Sequence, residues 1–286
     1  MLKIVKPLPF AGLLLALAVT PACRQSEETR SYLESLKKRT LEQLVFVEGG
    51  TFMMGDVGYV DENGIQRYFT NDPDTQPVHQ VTLTSYSIQA YEVTFGDFDF
   101  YTTLMGDELV GKRYLKEEYR KPNYPADILT WYQARAYCQW LGEQIGYPMD
   151  LPTEAQWEYA ARSRGQAISH ATNNGKLEID INVKGGGEIW HPLPVGSAPP
   201  NPLGLYDMTG NVGEWTLDLW HPYFEESLTD PSYNTEEDAK YAVSRMVRGL
   251  GWDPLYRRAK TLPDNTGANV GMRCVANHPE PIKSLR

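Results

Sequence analysis

The chain has 286 residues, 41% hydrophobic and 22% charged, with 24 glycines and 20 prolines spread along its whole length. Breakers at that density exclude a coiled coil, a helical bundle and a disordered tail, and predict one loop-rich domain of short elements around an aromatic-rich core. Against 37 acidic residues stand 27 basic ones, a net charge of −10 with no Lys/Arg cluster, so the phosphate-neutralising footprint of a nucleic-acid binder is missing.

In chain order, residues 1–22 read as a secretory signal: Lys3 and Lys6, an apolar run from Leu8 to Val19, then Thr20-Pro21-Ala22 before Cys23. The run is too short to span a bilayer durably. A cysteine closing such a run resembles a bacterial lipobox, although Thr20 and Pro21 replace the usual Leu and small residue; ordinary cleavage after Ala18 is the alternative. Lipid attachment at Cys23, followed by Arg24 rather than Asp, implies a periplasmic protein anchored to the outer membrane that meets the membrane only through its lipid.

Residues 23–44 are polar, with interspersed charges and neither Gly nor Pro, and read as a short helix or tether; the domain is expected over 45–286. Val45 opens a strand, a turn and a second strand, and Val78 to Leu83 alternates as a third. Between them, 56–77 is acidic and turn-rich; it lacks the ligand spacing of an EF-hand and reads as a solvated loop. Thr94, Thr130 and Thr153 each cap a predicted helix, the second presenting Trp131, Ala134, Cys138, Leu141 and Ile145 on one face before Gly146, the third opened by Thr153 with Gln156. After Gly165 the periodicity fades.

No G-x-S-x-G, P-loop, G-x-G-x-x-G or H-E-x-x-H occurs, and the five histidines lie too far apart for a helical ligand pair, so they read as surface or core residues. The most informative stretch is 201–216, NPLGLYDMTGNVGEWT, where Asp207 and Glu214 flank glycines that allow carbonyls to turn inward. Such oxygen donors suit calcium; a buried polar turn is the other reading.

That stretch, with Phe52-Met53-Met54-Gly55, Tyr91-Glu92-Val93-Thr94, LPTEAQWEYAAR at 151–162, Val247-Arg248-Gly249 and Gly271-Met272-Arg273-Cys274, resembles the formylglycine-generating enzyme (sulfatase-modifying factor) domain, in family order over about 45–277. The resemblance implies an α+β, C-type-lectin-like fold with few regular elements and structural calcium. It maps one calcium site onto the side chains of Asp207 and Glu214 and the carbonyls of Gly210 and Val212. A second set, in a poorly matching stretch, is Asn174 and Glu188 with the carbonyls of Gly175 and Trp190. It also implies a Cys138–Cys274 disulfide, in keeping with an oxidising compartment.

The departures concern function. Enzymes of the family hold copper with two cysteines, and Arg248-Gly249-Leu250-Gly251-Trp252-Asp253-Pro254-Leu255-Tyr256-Arg257 contains none. Neither copper nor iron is therefore expected, and Asp150 and Gly213 replace the family's Arg and Trp. The expected function is non-catalytic protein binding. Similar lipoproteins accompany type VI secretion lipase effectors, which implies an immunity protein that neutralises a phospholipase effector. The alternatives are a structural or assembly lipoprotein of the envelope and a metal-dependent oxidoreductase. Divergent loops at 56–77, 105–125 and 221–243 are the expected binding surfaces.

Overall fold

The computed structural model describes residues 21–112, 115–184, 191–266 and 269–282. The expected signal lies almost wholly outside them. The chain divides into two compact units, 1–36 and 37–286. Helix α1 (Pro21–Gln43) supplies all that is described of the first, with Cys23 in its opening turn. No helix among the described residues is long and apolar enough to cross a membrane. In the second unit the last turns of α1 pack into the domain: Thr40 and Leu41 are buried, and the Gln43 carbonyl accepts from Ala90 N–H at 2.9 Å.

The two predicted opening strands are β1 (Leu44–Val47) and β2 (Gly50–Met54), followed by the short pair β3 (Tyr59–Val60) and β4 (Gln66–Arg67). Strands β5 (His79–Leu83) and β6 (Tyr86–Gln89) come next. Rather than pairing with each other, β1 pairs with β6 and β2 with β5, both antiparallel. Gly49 permits this separation, since a Cβ there would stand 2.3 Å from the Leu83 carbonyl oxygen.

All three predicted helices form. Helix α2 (Phe95–Met105) begins at Thr94, whose hydroxyl accepts from Asp97 N–H. Helix α3 (Trp131–Ile145) has the full Thr130/Gln133 capping box and ends at Gly146 in the left-handed region, φ +77°. Strand β7 (Met149–Asp150) leads to α4 (Glu154–Ala161), where Thr153 and Gln156 form the second capping box.

The stretch where periodicity fades nevertheless contains β8 (Gly213–Leu219), β9 (Leu228–Thr229), β10 (Arg245–Arg248), β11 (Ala259–Thr261), β12 (Val270–Gly271) and β13 (Val275–Ala276). Two four-stranded sheets result, β1-β6-β13-β7 and β11-β10-β8-β12, beside the three-stranded β2-β5-β9. Six of the seven residues of β8 are buried, on both faces, which is why no alternation marks it in the sequence. Val47, Phe52, Val81, Tyr86 and Ile88 form the core with Trp157 and Tyr159 of α4 and Met208. The loop 56–77 is exposed over most of 59–68, as expected, and its base is tied to a fully buried Asp56, whose carboxylate accepts from Gly58 N–H at 3.0 Å and Thr70 N–H at 2.8 Å.

Candidate functional site

Helix α4 carries Glu154, Glu158 and Arg162 four residues apart and so on one face. That face receives Arg248 from the end of β10 and Arg258 from the residue before β11. Arg248 donates from Nη1 to Glu154 at 2.7 Å and from Nη2 to Glu158 at 2.8 Å. Arg258 binds Glu154 through Nε at 2.7 Å and Nη2 at 2.9 Å, while Arg162 reaches Glu158 at 2.9 Å. None of these side chains is more than 4% exposed. Burial alone would raise the Glu154 carboxyl, but Arg258 and Arg248 outweigh it and hold it at about 2. Nothing in the reading of single motifs assigned this lattice; the four-residue spacing of Glu154, Glu158 and Arg162 was the available signal.

Two other buried carboxyls lack such partners. Among the described residues Asp218 on β8 accepts only from main-chain N–H groups, those of Glu154 and, at 2.6 Å, Tyr233, and burial pushes it up to about 7. Asp127 is fully buried, neither of its oxygens has a hydrogen-bond partner among the described residues, and burial pushes it up to about 6. Beside it Ile128 holds a left-handed φ of +58°, an uncommon and strained conformation for a β-branched residue. A carboxyl raised in the folded state stabilises fully below its unfolded pKa and loses that contribution as pH rises through the folded value. Stability is thus expected to fall between about pH 4 and pH 8. Asp127→Asn is expected to remove part of that fall, gaining about 1–3 kcal/mol at pH 8 and little at pH 4. Urea unfolding of both proteins across that range checks it; an unchanged pH profile in the variant refutes it.

The expected calcium loop turns tightly, with left-handed φ at Asp207 (+57°), Gly210 (+96°) and Asn211 (+51°). Asp207 accepts from Gly196 N–H, and Asn211 donates to Glu92 Oε1 at 3.0 Å. The structure places Glu214 differently from a free ligand. Arg273 grips both of its oxygens, through Nε at 2.8 and 2.9 Å and Nη2 at 2.7 Å, and Trp157 Nε1 donates to Oε2 at 2.8 Å. Arg273 spends its remaining donors on the carbonyls of Gln89, Ala90 and Tyr206. Glu92, Asp207 and Glu214 therefore gather around one guanidinium, and Glu92 Oε2 is buried without a partner among the described residues. Burial first, and then the neighbouring carboxylates, raise Glu92 and Asp207 above the ordinary carboxylate range, a crowding that a divalent cation would relieve. Among the described residues no group of three or more His, Cys, Asp or Glu side chains is arranged to hold a metal. A cation here would rest on Asp207 and the carbonyls of Gly210 and Val212, with Glu214 already committed to Arg273.

Of the second expected set, Asn174 and Gly175 are among the described residues. Asn174 Oδ1 accepts from Thr172, Lys176 N–H and Asn182, and the Gly175 carbonyl accepts from Ser169 and His170, so these oxygens close a local turn. Glu188 and Trp190 lie outside the described residues. Cys138 on α3 and Cys274 form the expected disulfide, joining α3 to the chain entering β13.

The segment where enzymes of the resembling family carry copper thiolates is filled by packing. Leu250 lies against Gly213, where a Cβ would meet Leu250 Cδ2 at 2.7 Å. Trp252 O lies 3.2 Å from His170 Nε2, Leu255 N–H bonds Ser169 O at 2.9 Å, and Leu255 and Tyr256 are buried. Away from this segment, the expected loop 105–125 borders a cavity of about 890 Å³ lined by Asp107, Glu108, Val110, Lys112 and Ile128.

Short helices and strands, four small sheets and a disulfide joining α3 to the chain entering β13 make an α+β domain of the formylglycine-generating-enzyme fold. The chain belongs to the family of the sulfatase-modifying factor enzyme 1-like domain, which matches residues 29–278. It is 26% identical to the formylglycine-generating enzyme of Mus musculus over 83% of this chain and 76% of that one. It is also 26% identical to the inactive C-alpha-formylglycine-generating enzyme 2 of Bos taurus, over 85% and 90%. Identity reaches 31% with the serine/threonine-protein kinase pkn1 of Chlamydia pneumoniae over 83% of this chain, which spans only 38% of that longer protein. Among solved structures, PvdO from Pseudomonas aeruginosa matches at TM-score 0.65 and 28% identity, covering 82% of this chain and 93% of that one.

Proposed function

We propose that the chain is an exported, lipid-anchored binding protein without catalytic activity, and that it neutralises a phospholipase effector delivered by type VI secretion. One observation carries the non-catalytic part: the segment that would need thiolates is closed by Leu250 on Gly213, by Leu255 and by ion-paired arginines, while Cys138 and Cys274 are bonded to each other. A family member named as inactive is consistent with it. The phospholipase partner rests on the resemblance of divergent lipoproteins, and outer-membrane anchoring rests on the Cys23 leader. The decisive experiment is capture with the mature protein followed by a lipase assay. Recovery of a phospholipase whose hydrolysis falls on adding this protein is expected. Recovery of a large envelope assembly instead, or oxygen consumption with stoichiometric copper or iron, overturns the reading.

We further propose structural calcium at the Asp207 loop, supported by the uncompensated carboxylates around Arg273. Chelation with EGTA is expected to lower the unfolding midpoint of wild type and not that of Asp207→Ala; equal midpoints with and without EGTA in wild type refute it.

A further inference from the structure

Arg245, the first residue of β10, stands apart from the other arginines of the folded unit. Every other described arginine after residue 36 lies within 4.0 Å of a carboxylate: Arg39, Arg67, Arg120, Arg135, Arg162, Arg164, Arg248, Arg257, Arg258 and Arg273. Arg245 has none. Its Nη1 donates to the Leu217 carbonyl at 2.8 Å and to Asn234 Oδ1 at 2.5 Å, both neutral, and its Nε is buried without a partner. The guanidinium carbon sits over Trp131, 3.7 Å from the ring centroid, and Trp131 is fixed by its Nε1–H bond to the Thr216 carbonyl at 2.8 Å.

Arg135 approaches the same ring at 5.3 Å, but Asp150 holds it through two nitrogens at 3.0 to 3.1 Å. Burial and the neighbouring Arg135 both work against the charge on Arg245, Tyr132 and Asp218 support it, and the Asp218 carboxylate is already taken by main-chain N–H groups. These residues open onto a cleft of about 410 Å³ lined by Trp131, Tyr132, Arg135, Gln139, Asn234 and Arg245. That volume lies within the range of small-molecule sites, roughly 300–1,000 Å³. With Arg135 neutralised by Asp150, the cleft keeps one positive charge with no carboxylate in contact among the described residues, in a chain of net charge −10. A half-buried cation without a contacting carboxylate is costly, and an anion that enters the cleft relieves that cost.

We propose that this cleft binds a small oxyanion, with Arg245 as its charged anchor and Tyr132 and Gln139 as polar contacts at its rim. The site is independent of the protein-binding reading above. Calorimetric titration of the mature protein at low salt with glutarate, and separately with inorganic phosphate, tests it. Binding of glutarate with phosphate inert identifies an organic carboxylate, and the reverse identifies free phosphate. Failure of both overturns the proposal.

Asn234→Asp is the discriminating variant, because it keeps an acceptor for Nη1 while placing a built-in carboxylate on Arg245. It is expected to weaken the bound probe by at least about ten-fold and to raise the thermal midpoint. Unchanged affinity in this variant overturns the site even where wild type binds. Arg245→Lys is expected to retain weakened binding, since it keeps the charge and loses the planar fork.

Discussion

Replacement of Glu154 by alanine is expected to destabilise the domain by about 3–5 kcal/mol, the usual loss when one partner of a buried ion pair is removed. Glu154 receives Arg248 and Arg258 through three hydrogen bonds of 2.7 to 2.9 Å, and both arginines are at most 1% exposed. Without it, Arg258 keeps the carbonyls of Asp74 and His221 as hydrogen-bond partners and the Tyr223 ring at 3.9 Å, and Arg248 keeps Glu158 and the Leu255 carbonyl. A domain of this size loses about 2–4 °C of midpoint per kcal/mol, so a fall of roughly 6–20 °C is the expected reading. Glu154→Gln, which keeps the shape and loses the charge, should fall nearly as far. A loss below about 1 kcal/mol in both variants would show that water reaches the arginines. The acid side follows the same lattice: Glu154 is held at about 2, so its contribution is present above the ordinary carboxylate range and is lost only as pH falls toward 2.

The second large effect belongs to the Cys138–Cys274 bridge. It joins residues 136 apart, and closing a loop of that length removes about 5 kcal/mol of chain entropy from the unfolded state in the simple loop model. The double variant Cys138→Ala, Cys274→Ala is expected to lose about 2–5 kcal/mol, because both positions are fully buried and alanine also leaves unfilled volume. Non-reducing peptide mapping should recover the two as one linked species, and denaturant unfolding of the double variant should show the midpoint shift. Two free thiols in the mature protein would remove the bridge from the fold.

These two effects differ in how far they could be foreseen. The disulfide followed from Ala136-Tyr137-Cys138 and Gly271-Met272-Arg273-Cys274 once the resemblance was in view. The ion-pair lattice did not, because Glu154 and Arg258 are 104 residues apart and each alone reads as an ordinary surface charge. The same holds for Glu214. Its spacing from Asp207 suggested a calcium ligand, and only the folded chain brings Arg273, 59 residues away, onto both of its oxygens. Asn174 and Gly175 show local bonding that spacing does not reveal: in a short turn their oxygens are the nearest acceptors for neighbouring donors.

What the sequence by itself determined is whatever depends on near neighbours. Helices α2, α3 and α4 begin at Thr94, Thr130 and Thr153, since a cap acts over three residues, and β5 shows itself by alternation because its faces differ in burial. The absence of a cysteine from 248–258 was equally plain. The tertiary structure decided the rest. It set the partners of β1 and β2, hid β8 by burying both of its faces, and gave the arginines their glutamates. It also left Arg245 without one. Those outcomes depend on which distant segments exclude water together, and a buried charge acquires its meaning only from the group that the fold places opposite it.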